Sequence, residues 1–211
     1  IFQLFSILGR MIGEMEMTAF FNMEIQGDEK ANERFQRNMH QIMLATSSYV
    51  DELVNAGADA ICMLEPSMSY YSMPDNFESE ALYWINAIVS IINSKGMPVI
   101  FHACGNSENH FQVMTQMNVQ GFSLDEAVNL KRFFELRPDA VMVGNFNNKN
   151  MVSVPEKQLE DNSRAMLTDF QQIEDNSKLL PATGCEVTSL DEKASINQLK
   201  AFANGVAPSV Q

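Results

Sequence analysis

Short apolar segments and longer amphipathic segments alternate along almost the whole chain, and this alternation limits the folds that the chain can adopt. The apolar segments have the length of buried strands, whereas the amphipathic segments carry apolar residues at helical spacing. Strands are predicted at residues 58–64, 98–102, 121–125, 140–145 and 178–182, and helices at 29–56, 74–94, 109–117, 127–136, 155–173 and 190–206. Residues 2–8 are interpreted as the tail of a sixth strand. Strands that alternate with helices predict an α/β fold with a parallel sheet.

The sheet can close in two ways, as an open doubly wound sheet or as a TIM (β/α)8 barrel. No glycine-rich phosphate loop follows a strand, so the nucleotide-binding form of the open sheet is not supported. A barrel typically needs about 250 residues, and this chain has 211. We therefore expect a barrel that is incomplete at its N-terminus and begins at about the third strand. No low-complexity linker divides the chain, so residues 1–211 are interpreted as a single domain.

Residues of the types that bind metals and substrates lie at the ends of the predicted strands. They are Glu65, His102, Cys104, Asp125, Asn145 and Cys185. In a barrel, the carboxyl ends of the strands form the catalytic face. We therefore expect these side chains to lie along one edge of the sheet.

Three of these residues are candidate zinc ligands. His102 and Cys104 are two residues apart after the apolar run at 97–101, Gly105 permits a sharp turn there, and Cys185 follows the last predicted strand. Zinc prefers nitrogen and sulfur ligands, and three protein ligands leave a fourth position open for a substrate. A thiol bound at that position has a lowered pKa. The sequence therefore predicts a zinc site that activates a thiol.

Composition excludes several classes of partner. The net charge of −13 argues against nucleic acid and anionic membranes as partners, because both require basic patches. No window approaches the roughly 18 apolar residues of a membrane span, and we find no export signal. The three cysteines do not show a disulfide spacing, so we expect a cytoplasmic location. Cys62 lies in the middle of a predicted strand and is interpreted as a buried, inert thiol.

Several stretches match a known family in sequence and in order. They are residues 56–61, 65–69, 102–106, 123–126, 144–145 and 184–186, within a region from about Phe5 to about Phe202. In these stretches the chain resembles the methylcobalamin:thiol methyltransferases of the uroporphyrinogen decarboxylase superfamily. The decarboxylases themselves lack the His-x-Cys-Gly and Gly-Cys segments. The chain departs from the family pattern in two places: relatives more often have Asp where this chain has Glu65, and they usually read Val-Asp-Pro at residues 146–148.

The resemblance implies a fold, cofactors and partners. It implies a TIM barrel of which this chain is the C-terminal two-thirds, with zinc held by His102, Cys104 and Cys185. It also implies a methylated corrinoid, carried on a partner protein, as the methyl donor. The acceptor would be a thiol such as coenzyme M.

Other residues are assigned roles at the same predicted site. Glu65 and Asp125 are expected to take part in catalysis, either as a fourth zinc ligand that the thiol displaces or as acceptors from the imidazole N–H of His102. Tyr70 is a candidate for the mouth where a corrinoid docks. Asn145 is a second cofactor-binding candidate, which would orient substrate or hydrogen-bond a loop.

Two alternatives remain at this point. One is a decarboxylase of the same fold that acts on a tetrapyrrole, although such an enzyme needs cationic side chains and this chain is poor in arginine. The other is a non-catalytic barrel fragment. An incomplete barrel exposes strand edges, which favours pairing with another chain or formation of a homo-oligomer.

Overall fold

The fold is α/β, as the alternation predicts. The computed structural model describes residues 4–13, 15, 17, 27–66, 81–149, 151–173, 176–187 and 192–207. The helices are α1 (Leu4–Ile12), α2 (Glu29–Asn55), α3 (Leu82–Ser94), α4 (Phe111–Met114), α5 (Leu130–Leu136), α6 (Glu156–Gln171) and α7 (Glu192–Val206). The strands are β1 (Ile61–Glu65), β2 (Val99–Ala103), β3 (Gly121–Leu124), β4 (Val141–Phe146) and β5 (Leu179–Thr183). Their order by hydrogen bonding is β1-β2-β3-β4-β5.

One predicted strand is a helix instead. Within the expected sixth strand at 2–8, the described residues from Leu4 onward belong to α1, so that prediction is wrong. Leu8 in this helix is buried, whereas Met11 is exposed, and α1 packs on α2. The segment is apolar enough for either structure, and its spacing suits a helix with one buried side.

The chain divides into two compact units, Ile1–Phe122 and Ser123–Gln211. Each unit is described by itself below, and the assignment of residues 1–211 to a single domain stays a prediction. Within the described ranges, no helix combines the length and the apolar content that crossing a membrane requires.

Helix α2 is capped at its N-terminus and buries one side within the first unit. The Asp28 carboxylate accepts hydrogen bonds from the backbone N–H groups of Lys30 and Ala31, both at 3.0 Å, and so caps the helix. The buried positions of α2 are Phe35, Met39, Ile42, Thr46 and Val50, at helical spacing. Tyr49, which the periodicity also assigns to the apolar side, is 53% exposed. The helix therefore packs against α1 and α3 with a narrower buried stripe than the sequence suggests.

Strands β1 and β2 pair in parallel, with Ile61 opposite Val99. Alternation buries Ile61 and Met63 on one face. Cys62 points to the other face and is exposed, so the prediction of a buried thiol is wrong. Partial desolvation still raises the pKa of the Cys62 thiol, which keeps it a poor nucleophile at neutral pH.

The second unit has its own core behind β4 and β5, which are also parallel. Its buried cluster is Met151, Leu159, Ala201 and Phe202, with Phe146, Val154, Met166, Val187 and Val206 packed against it. The rings of Phe146 and Phe202 lie 5.2 Å apart. Phe146 ends β4 and Val187 follows Cys185, so this core anchors the segments that leave both strands.

Candidate metal centre

The first unit brings His102 and Cys104 together. His102 lies in β2 and is only 8% exposed, and Cys104 follows the strand directly. Their Nε2 and Sγ atoms are 3.0 Å apart. Gly105 has a φ of 71°, a conformation that side chains disfavour. The strand thus fixes the imidazole, and the turn that Gly105 permits keeps the thiol beside it.

The donors of this pair suit zinc. For a tetrahedral ion with Zn–S of about 2.3 Å and Zn–N of about 2.05 Å, the N···S separation is roughly 3.6 Å. The observed pair would therefore open by only about half an ångström to hold the ion. Cys104 itself is half-buried.

A short ordered segment follows the pair. The side-chain oxygen of Asn106 accepts a hydrogen bond from the Glu108 N–H at 3.2 Å. The carbonyl of Ser107 accepts one from the N–H of His110 at 2.9 Å. Ser107 and His110 are both buried. His110 is therefore a packing residue that helps to fix the turn after Cys104.

Glu65 lies in the same unit as the pair. It is the last residue of β1, it is fully buried, and it stands opposite Ala103 in the parallel register. The neighbouring strand therefore carries a buried carboxylic side chain at the level of the residue between His102 and Cys104. Its catalytic role stays a prediction.

The second unit places Asp125 directly after β3, with only 5% of its surface exposed. Its Oδ1 accepts a hydrogen bond from the N–H of Ala127 at 2.9 Å. The Asn145 amide donates to the carbonyls of Asp125 and Val128, at 3.0 and 2.8 Å. Asn145 therefore holds the loop after β3, which is the second of its two predicted roles. Its contact with substrate or cofactor stays a prediction.

Cys185 follows β5 and is half-buried. Before it, the N–H of Gly184 donates to the carbonyl of Phe146 at 2.8 Å. A Cβ on Gly184 would lie 2.4 Å from the backbone nitrogen of Glu126, so a side chain here would force the two loops apart. After it, the carbonyl of Glu186 accepts from the Asn148 amide at 2.7 Å. The Cys185 segment is thus held on both sides.

Glu126 and Lys149 have no assigned role in the sequence-based prediction, although the backbone of Glu126 packs against Gly184. Lys149 Nζ lies 2.5 Å from Glu126 Oε1. The hydrogen bond and the charge of Glu126 raise the pKa of Lys149, and the charges of Asp125 and Cys185 add to the effect. The sequence gives only a weak signal that Lys149 has a role: it follows residues 146–148, which depart from the family pattern.

The other predicted site residue, Tyr70, and the three candidate zinc ligands remain to be placed. Tyr70 lies outside the described residues. His102 and Cys104 belong to the first unit and Cys185 to the second. The meeting of all three at one ion is therefore a proposal, which is argued in the next section.

Parallel strands that alternate with helices define an α/β protein, and in such a fold the strand ends are the expected position of a site. The sequence pattern of the family described as uroporphyrinogen decarboxylase (URO-D) matches residues 5–206. The chain therefore belongs to the uroporphyrinogen decarboxylase family.

Two curated relatives share one description, methylcobamide:CoM methyltransferase MtbA. The protein of Methanosarcina acetivorans is 25% identical over 155 residues, which cover 72% of this chain and 43% of the relative. The protein of Methanosarcina mazei is 30% identical over 101 residues, which cover 47% of this chain and 30% of the relative. The chain thus spans less than half the length of these relatives. They confirm the resemblance to the methylcobalamin:thiol methyltransferase branch.

A solved structure shares the fold. A methyltransferase from Methanosarcina mazei matches with a TM-score of 0.69 at 20% identity, over 92% of this chain and 54% of that chain. This likeness confirms the fold class predicted from the sequence, an α/β fold of the barrel type.

Proposed function

We propose that this chain forms the zinc-binding part of an enzyme that moves a methyl group from a methylated corrinoid to a thiol acceptor such as coenzyme M. The observation that carries the proposal is the His102–Cys104 pair, with its nitrogen and sulfur 3.0 Å apart at the end of β2. The curated relatives support it, because their description names both a methylcobamide and CoM.

The donor set supports a metal centre. His102, Cys104 and Cys185 make up a group of described side chains that could hold a metal ion. One imidazole and two sulfurs are a usual zinc set that leaves one position open. Bound zinc would supply Lewis acidity, which lowers the pKa of a thiol at the open position.

The chain's own residues would prepare the site for that chemistry. β2 fixes His102, and the turn at Gly105 fixes Cys104 beside it. With zinc bound, the thiolates of Cys104 and Cys185 would keep the centre electron-rich, so the acceptor sulfur would stay nucleophilic. Glu65 is the candidate in the same unit to accept a hydrogen bond from the imidazole or to occupy the open position at rest. Asp125 is the corresponding candidate of the second unit.

The corrinoid would approach the strand ends on a partner protein. Tyr70 and Asn145 are the candidates to contact it or the substrate. The hydrogen bonds from Asn145 to the loop after β3 support a role in shaping this surface.

The test combines zinc content with methyl transfer from methylcobalamin to coenzyme M, for the wild-type chain and for Cys104→Ala and Cys185→Ala. The wild type should hold about one zinc per chain. Each variant should lose the zinc and at least about 100-fold in rate, more than is usual for outer-shell partners. Cys62→Ala is the matched control, because Cys62 is an exposed cysteine outside the donor set, and it should behave as wild type.

Two results would contradict the proposal. Full activity of a metal-free Cys104→Ala/Cys185→Ala double variant would show that zinc takes no part in the reaction. Conversion of a porphyrinogen without metal would instead favour the decarboxylase for which the family is named.

A further inference from the structure

An ion pair in the second unit lies beside Gly184, the residue before Cys185, and has no part in the chemistry described so far. The Glu126 side chain is only 8% exposed, whereas that of Lys149 is 65% exposed, and Nζ lies 2.5 Å from Oε1. A buried carboxylate is costly unless a cation or hydrogen-bond donors face it. Lys149 therefore acts as the counter-ion that reaches Glu126 from the solvent side.

The second oxygen of Glu126 has a different environment. Oε2 is buried and, among the described residues, has no hydrogen-bond partner. Buried acceptors without partners are uncommon in folded proteins. Because Lys149 pairs with Oε1, Oε2 is the oxygen that remains to accept from a donor that enters the site.

The pair is also close to the Cys185 segment. The backbone of Glu126 packs against Gly184 so closely that a Cβ there would lie 2.4 Å from its nitrogen. A change in the position of Glu126 would therefore disturb the segment that carries Cys185.

We propose that Lys149 is a positioning residue: it acts through Glu126 and holds that carboxylate against the Cys185 segment with one oxygen free. This inference rests on the proposed function, because it assigns Lys149 to the same site. Without Lys149, the buried carboxylate loses its counter-ion and turns toward solvent. The loop after β3 and the Cys185 segment then lose their fixed contact.

The test is a double-mutant cycle in the methyl-transfer assay with Lys149→Met, Glu126→Gln and the double variant. Lys149→Met should lower kcat/KM about tenfold, and Lys149→Arg should recover most of that loss, since coupled residues commonly interact by this much. In the Glu126→Gln background, Lys149→Met should cause no further loss of kcat/KM. Lys157→Met is the matched control, because Lys157 pairs with Asp161 on the surface of α6, and it should leave the rate unchanged.

A second measurement separates this inference from the proposed function. In urea unfolding of the metal-free chain, Lys149→Met should lower the midpoint in the wild-type background more than in the Glu126→Gln background. Equal losses in both backgrounds, in rate or in midpoint, would overturn the inference. An active wild type with an unchanged Lys149→Met variant would also overturn it. A wild-type chain that binds no zinc and transfers no methyl group would instead overturn the proposed function, and with it the role of Lys149 in catalysis. The unfolding measurements would then still decide whether Lys149 holds Glu126 in place.

Discussion

Gly184 shows how one residue fixes the position of a candidate ligand. It precedes Cys185, and the backbone of Glu126 occupies the space that a side chain would need. Its N–H also donates to Phe146, so the chain cannot move away without losing this hydrogen bond. The family resemblance includes this Gly-Cys segment, and the structure supplies its steric reason.

We expect Gly184→Ala to lower the free energy of unfolding by about 1–3 kcal/mol, because the added methyl group meets backbone rather than a flexible side chain. Urea unfolding of the metal-free chain measures this. Gly96→Ala provides a contrast, since Gly96 has a φ of 77° with nothing within 4 Å of the added Cβ. It should cost only the backbone penalty of a left-handed alanine, about 1–2 kcal/mol, without any clash with neighbouring backbone. A Gly184→Ala variant as stable as the wild type would show that the loops can separate freely.

Asp139 makes a pH-dependent contribution to the stability of the folded chain. Its carboxylate accepts two hydrogen bonds from Arg137, at 2.9 and 3.0 Å, and the hydrogen bonding to Arg137 is the main cause that lowers its pKa. A lowered pKa gives stability that is present above the ordinary value of 3.8 and is lost as the pH falls through the folded-state value.

Asp139→Asn should therefore be less stable than the wild type at pH 7, by at most about 0.5 kcal/mol because the Asp139 side chain is mostly exposed. The difference should shrink toward zero as the pH falls below 3.8. Urea midpoints at a series of pH values measure it, and Arg137→Met should reproduce the loss. A difference that stays constant down to pH 3 would exclude this ion pair as its cause.

Among the elements, α2 was the most predictable and α1 the least. α2 is long, amphipathic and capped, so its local signals agree with its packing. α1 is short and mostly apolar, and such a run suits a strand or a helix equally until its packing partner is known. Contact with α2 decided in favour of the helix.

The cap of α2 gives a prediction at this scale. Asp28→Ala should lower the free energy of unfolding by about 1 kcal/mol, because two N–H groups at the start of the helix lose their acceptor. Asp28→Ser should retain most of that stability, since serine is also a good cap. Glu33→Ala, at an exposed position within α2, should change stability by less than about 0.5 kcal/mol. If Asp28→Ala matched Glu33→Ala, the cap would have no measurable role.

For the whole molecule, the proposed metal centre links folding to zinc. Zinc that binds the folded chain and not the unfolded chain would stabilise the fold by mass action, by about 2.7 kcal/mol when free zinc is 100 times the Kd. Binding also requires deprotonated cysteines and a neutral histidine, so affinity should fall as the pH falls.

We therefore expect zinc to raise the Tm of the metal-free chain and a chelator to reverse the change. Differential scanning calorimetry with and without zinc measures this. Cys185→Ala should abolish the zinc-dependent rise, and Cys62→Ala should preserve it. A Tm that is independent of zinc in the wild type would contradict a shared centre.

The sequence by itself determined the α/β class, the order of most elements and the candidate ligands, because periodicity and residue type are local properties. The His102–Cys104 proximity was also foreseeable, since the two residues share a strand end and a turn. Tertiary structure decided the helical state of α1, the exposure of Cys62, the use of the Asn145 amide in a loop and the pairing of Lys149 with Glu126. Each of these depends on which distant segment packs alongside, and no local pattern encodes that neighbour.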